Sequence, residues 1–202
     1  MASAYVQYCT LTQLKNRLGG TISAASDAVL TEIIEETSQW IESYTGRVLG
    51  PVASATYTFD GGGPDNPDIY TLDLSWLGVR AVTLLETATT TGGAFSTVSA
   101  SNYYLRPLNP PAGEPFQRIE LYNQYFYSGY GTIRVTMTAG FAAIPDDVRS
   151  VALAIATRAW HGRQSGQADV VGNDETGSPI VTRIVAPELK RTLDRYKPVL
   201  VA

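Results

Sequence analysis

Residues 144–166 read IPDDVRSVALAIATRAWHGRQSG. The stretch opens as a helix. Pro145 suits a first turn, where a missing N–H costs nothing, and Asp146 and Asp147 suit the positive end of the helix dipole. Its position decides the fold class, because it restores helical periodicity after residues 51–140, where that periodicity is absent. At about 100° per residue, Val148, Val151, Ala152, Ile155 and Ala159 form one apolar stripe. Leu153 and Trp160 fall roughly 120 to 140° from Val148, on a second apolar surface, and His161 falls about 220° round, nearly opposite the stripe. The chain has a single histidine. One placed this way is expected at a surface or an interface rather than in a buried catalytic corner.

Two helices are expected upstream. In TLTQLKNRLGG, Thr10 and Gln13 have capping-box spacing, Leu11, Leu14 and Leu18 share a side, and Gly19–Gly20 stop the helix. SDAVLTEIIEETSQWIESYTG places Leu30, Ile33, Ile34, Thr37, Ile41 and Tyr44 at helical spacing, with Ser26 or Asp27 as the cap and Gly46 as the end. Glu32, Glu35, Glu36, Gln39 and Glu42 share another face. Such an acidic stripe is either solvated or presented to a positive partner.

Between these helices and the opening stretch, short alternating segments take over. ATYTF, YTLDLSW, VRAVTLLE, RIELYN and TIRVTMTA read as strands separated by DGGGPDNPD, TTTGG and PLNPPAGEP. Tyr70, Leu72, Leu74 and Trp76 are expected on one side of their strand, and Ile133, Val135 and Met137 on one side of theirs. After residue 164 a polar segment rich in Gly, Ser, Asp and Asn leads through IVTRIV to a last helix from Pro187, made locally basic by Lys190, Arg191, Arg195 and Lys197. The expected class is α+β: a small helical bundle formed by 1–50 and 141–202, with an inserted antiparallel β-rich region at 51–140.

Of the 202 residues, 44% are apolar and 17% charged, and the formal net charge is −4. The length suits one domain or one domain with a large insertion. The charge argues against binding nucleic acid through an overall positive field. Cys9 has no partner for an internal disulfide and is expected as a small, semi-buried residue before the first helix. The N-terminal residues lack the pattern of a signal peptide, and no run is apolar enough to span a membrane; synthesis in a cytoplasm is expected.

The search for chemistry returns little. No G-x-S-x-G elbow, zinc ligand set, phosphate loop or paired-glutamate motif accompanies His161. Asp60, Asp65, Asn66 and Asp68 do not match a calcium loop, and a hairpin connection explains them better. Tyr122, Tyr125, Phe126, Tyr127 and Tyr130 are aromatic enough to stack bases, yet no Lys or Arg is interleaved with them, so strand packing or a protein interface is preferred.

In order along the chain, TLTQLKNRL, DAVLTEIIEETSQWIESYTGRVL, a β-rich insertion closing with IRVTMTAGF, IPDDVRSVALAIATRAWHGR and LKRTLDRYK resemble the head–tail connector, or adaptor, proteins of tailed bacteriophages. The resemblance spans nearly the whole chain and is weakest in the insertion and in residues 164–184. It implies a non-enzymatic virion protein of the neck, without cofactor, metal or membrane. Such a protein forms a ring, typically dodecameric, beneath the portal protein, extends the channel for double-stranded DNA without sequence-specific binding, and carries the stopper or tail-completion protein. On this reading Glu32, Glu35, Glu36, Glu42, Leu153, Trp160 and His161 are candidate subunit-interface residues. Arg183, Lys190, Arg191, Arg195 and Lys197 are candidate portal-docking residues. The alternative is a glycan-binding β module that stacks sugars on Tyr and Trp.

Overall fold

The computed structural model describes residues 6–19, 22–62, 69–165, 170–173, 179–181 and 185–198. The fold is α+β, and the chain divides into two compact units: Met1–Gly46 with Ile144–Ala202, and Arg47–Ala143.

The first unit is helical. Helix α1, Leu11–Leu18, starts on a complete capping box: the Thr10 hydroxyl accepts from the Gln13 amide at 3.2 Å, and the Gln13 side chain accepts from the Thr10 amide at 2.9 Å. These contacts satisfy two amides that a helix start otherwise leaves open. Helix α2, Asp27–Thr45, is preceded by a 3₁₀ turn at Ala24–Ser26. Neither Ser26 nor Asp27 caps α2 through its side chain; instead Ser23 caps the 3₁₀ turn, its hydroxyl accepting from Ala25 at 3.2 Å. The extra turn moves the capping position upstream. Asp27 pairs with Lys15 of α1. Helix α3, Asp146–Ser165, and helix α4, Pro187–Asp194, complete the bundle, with α3 packing on α1, α2 and α4.

The bundle core comes from the apolar faces read off the sequence. Leu14, Leu30, Ile33, Ile34, Ile41, Val148, Val151, Ala152 and Ile155 are all buried. Each large side chain of this kind contributes about 1.5–3 kcal/mol by leaving water. Burial on α3 extends further round than the expected stripe and includes Ala156 and Trp160. Beside this core, Ser38 is fully buried yet satisfied: its hydroxyl donates to the Ile34 carbonyl at 2.7 Å and accepts from the Tyr8 amide at 3.2 Å. That contact ties the segment before α1 to α2.

Strands β8, Val170–Asn173, and β9, Pro179–Val181, form a separate antiparallel pair between α3 and α4 in the chain.

The second unit holds two antiparallel sheets. One has the order β1–β7–β3–β4, from Pro51–Gly61, Gly129–Gly140, Val79–Ala88 and Phe95–Thr97. The other has the order β2–β6–β5, from Thr71–Asp73, Arg118–Leu121 and Tyr103–Arg106. Alternation on β7 puts Ile133, Val135, Met137 and Ala139 in the core at 0% exposure, with Leu85 from β3 and Leu72, Leu74, Ile119, Leu121 and Phe126 from the other side. On the opposite face, Arg134 meets its register partner Glu86 at 2.9 Å and lies 3.9 Å over the Phe95 ring.

The strand expected across residues 70–76 is shorter than its alternation suggests. β2 stops at Asp73, whose carboxylate accepts from the Ser75 amide at 2.8 Å and opens a turn. Such a local side-chain bond competes with the ladder. Leu72 and Leu74 remain buried, but Tyr70 and Trp76 are exposed rather than turned inward with them.

Candidate interaction surfaces

On α2, Glu32, Glu35 and Glu36 are exposed, as the acidic stripe predicts. Glu32 is engaged from within the unit, by Arg163 of α3 at 3.3 Å. Glu42 differs from the other three. It is half-buried, accepts from the Tyr8 hydroxyl at 3.1 Å, and burial pushes its carboxyl above the usual range against the opposing hydrogen bonds from Tyr8 and the Val6 backbone. The open acidic face is therefore Glu32, Glu35 and Glu36, without Glu42.

The second apolar surface expected on α3 is not an open one. Trp160 is 8% exposed and Leu153 half-buried within this chain alone. The physical reason is the width of the buried arc: Ala156 and Trp160 continue the face begun by Val148 and Ala152, about 40° per step of four residues. His161 is exposed, on the side that helical geometry assigns it.

The last helix ends at Asp194, short of Arg195 and Lys197, and the basic residues just beyond it are spent on their own unit. Arg195 reaches Asp147 of α3 at 2.7 Å, and the Tyr196 hydroxyl donates to the same carboxylate at 2.7 Å. Lys197 pairs with Asp194 at 2.8 Å and sits 3.9 Å over the Tyr44 ring, whose hydroxyl also donates to Asp194 at 2.8 Å. The Lys197 and Tyr44 hydrogen bonds hold the Asp194 carboxyl below its usual range, and the Asp194 bond holds the Lys197 ammonium above its own. Lys190 lies 5.9 Å from the Tyr44 ring centre, and Tyr44 stacks on Trp40 at 5.1 Å. Lys190 and Arg191 are exposed. Arg183 lies outside the described residues.

The sequence reading missed how many aromatics the β unit shows to solvent. Tyr70, Trp76, Tyr104, Tyr122, Tyr125, Tyr127 and Tyr130 are exposed, while Phe126 among them is fully buried. Tyr104 and Tyr122 meet edge to face at 6.1 Å, with Arg106 near the Tyr104 ring and paired to Glu120 at 2.6 Å. Tyr125 and Tyr127 lie tilted at 5.1 Å. The D-x-S turn at Asp73–Ser75 was the available signal that Trp76 would leave the strand. Arg47 is a second residue that went unremarked: it is buried, with its guanidinium 5.5 Å from the Phe141 ring centre, and burial lowers its pKa against the pull of Glu114.

Among the described residues no cluster of three or more His, Cys, Asp or Glu is placed to hold a metal ion. Asp60, from the segment weighed as a calcium loop, accepts instead from the Gly131 amide at 2.6 Å; Asp65, Asn66 and Asp68 lie outside the described residues. Cys9 is buried, and burial pushes its thiol up to about 11. Among the described residues no helix is long and apolar enough to cross a membrane.

No protein-family model matches the chain, and no curated protein matches it. Among solved structures, it is similar to a chain in the neck of an empty GTA (gene transfer agent) particle computed with C6 symmetry, at a TM-score of 0.62 and 21% identity. The match covers 95% of this chain and 90% of the other, so the two share a fold from end to end.

Proposed function

We propose that this chain is a structural subunit of the neck of a phage-like particle: a head–tail adaptor that assembles as a ring beneath the portal, extends the DNA channel and carries the stopper or tail. The observation that carries the reading is the end-to-end similarity to a neck chain, which includes the helical bundle and the β insertion together. A dodecamer contains a six-fold axis, so the ring size implied by the sequence resemblance is compatible with the symmetry of that particle. The reading needs no catalytic group. It asks instead for surfaces, and the exposed Tyr and Trp of the β unit, with Arg106 over the Tyr104 ring, have the composition of a protein interface.

Within this reading Glu32, Glu35 and Glu36 either face a neighbour or line the channel. An acidic lining lets DNA pass because it forms no phosphate contacts that would hold it. Lys190 and Arg191 on α4 are the basic residues of this segment most available to the portal, since Arg195 and Lys197, just beyond the helix, already have carboxylate partners.

The exposed aromatics also favour a second reading, a glycan-binding module. Sugar stacking wants an open, flat ring face, whereas Tyr104–Tyr122 and Tyr125–Tyr127 meet at interplanar angles of 65° and 59°. The adaptor reading is preferred for that reason.

Electron microscopy of the purified protein, with and without portal, tests the proposal. Rings in either sample support it; their absence from both, together with a hit on a glycan array, transfers the case to the second reading. Reversing Glu35 and Glu36 to Lys tests the acidic face: unchanged ring formation and unchanged genome retention would remove it from both roles.

A further inference from the structure

The four-stranded sheet ends on β1, which pairs with β7 along one side; among the described residues no strand lies along the other. A free edge of this length is a template for another strand. Folded proteins ordinarily blunt such edges with charge, with proline, with bulges that twist the edge away, or by keeping them short. β1 has no charge from Val52 to Phe59: its proline stands at the first position and its first charge is Asp60. Register shifts between Val52 and Ala55 and between Phe59 and Gly61 confine the regular, uncharged ladder to Ala55–Phe59, and that five-residue run is the part of the edge open to another strand. The core is also thinly covered here. Tyr57 and Phe59 are half-buried, whereas Val135 and Ile133, their register partners on β7, are fully buried.

The helical unit carries the converse feature. β8 and β9 form a two-stranded sheet that joins no other strand among the described residues. An isolated pair of strands is marginal in water and gains from further strands. Among the described residues of the single chain, no strand pairs with the free side of β1 or with the β8–β9 pair.

We infer that the β8–β9 pair of one copy adds to the β1 edge of a second copy, so that backbone ladder bonds join successive subunits. The two surfaces are different, so the contact is heterologous. Each copy offers one edge and one strand pair, and repetition of such a contact closes into a ring where the rotation from copy to copy divides a full turn. This rests on the ring reading above and names its joint.

Two variants test it. Tyr57→Lys puts an ammonium on the core-facing side of the edge strand; its stem lies along the sheet and its head reaches water past the open edge, but an added strand would bury it. In the second variant a Gly-Ser linker of equal length replaces residues 170–181, leaving the four helices in place. Circular dichroism and melting check that each variant is folded, and native mass spectrometry reads the assembly. Wild type is expected to form rings and each variant alone to stay monomeric. An equal mixture is expected to give a dimer and nothing larger, because the intact strand pair of the Tyr57→Lys chain fits the intact edge of the linker chain. Rings from either variant alone overturn the inference, and so does a mixture without dimers. If Tyr57→Lys does not fold, the linker chain titrated into wild type decides: open arcs in place of rings support the joint, and unaltered rings overturn it. A wild type that stays monomeric at every concentration and on the portal overturns the ring reading itself, whereas ring-forming variants overturn only this joint.

Discussion

Arg195, just beyond α4, places its guanidinium 2.7 Å from the Asp147 carboxylate in the first turn of α3. The same carboxylate accepts from the Val148 amide at 2.9 Å and from Tyr196. One acidic residue thus serves a helix start and fastens the last described turn of the chain to it.

Asp147→Ala removes all three contacts. A lost hydrogen bond at a helix start and a lost tyrosine bond cost about 1 kcal/mol each, and an exposed ion pair adds ~0–1 kcal/mol. Denaturant unfolding of the helical unit is expected to show a loss of about 2 kcal/mol. Asp147→Asn, which still accepts from Tyr196, is expected to lose about half as much. Equal stability of all three proteins would remove the fastening role.

Trp160 is a candidate interface residue by sequence, and this chain alone already buries it. Trp160→Ala is therefore expected to destabilise the unassembled chain by ~3–5 kcal/mol, the cost of an emptied core site. A variant that melts like wild type as a monomer and fails only in assembly would return Trp160 to the interface.

Glu42 makes stability depend on pH in an unusual direction for a carboxylate. Its folded pKa is raised by burial, so between the ordinary carboxylate value and that raised value the folded chain holds more protons than the unfolded one. Stability from this group is present below the unfolded pKa and is lost as pH rises through the folded pKa. Glu42→Gln keeps an acceptor for Tyr8 and is expected to flatten that slope in melts from mildly acidic to neutral pH, with stability at pH 7 equal or higher. A lower melting point at pH 7 and an unchanged slope would refute it.

Gly140 ends β7 at φ 71°, and a Cβ there would run into the Gly50 carbonyl oxygen. Gly92 has φ 72° but open space around it. Gly92→Ala is expected to cost ~1–2 kcal/mol, the backbone penalty alone, and Gly140→Ala about 3 kcal/mol or more. Native-state hydrogen exchange of β7 amides measures both; equal protection in the two variants would deny the clash.

Cys9 is expected to be inert in the folded chain. With its pKa near 11, the thiolate fraction at pH 8 is roughly 200-fold below that of a free cysteine, before access is counted. Slow modification by a thiol reagent that becomes fast in denaturant is the expected result; rapid labelling of native protein would contradict its burial.

Local chemistry alone determined much of this fold. The Thr10–Gln13 capping box, the run from Leu30 to Ile41 and the alternation through Ile133, Val135 and Met137 each depend on residues near one another in the chain, and helical and strand periodicities of 3.6 and 2 translate them directly into faces. The exposure of Glu35, Glu36 and His161 follows from the same periodicity. Where a side chain finds its partner far along the chain, spacing is silent. Tertiary structure decided that Glu42 bonds Tyr8, that Asp147 meets Arg195 and Tyr196, and that Lys197 lies on Tyr44, because these contacts depend on how helices cross rather than on which residues each carries. It also decided that Trp160 belongs to the core and Trp76 to the surface: the buried arc of α3 is set by the helices packed round it, and the Asp73 turn ends a strand that alternation alone would have continued.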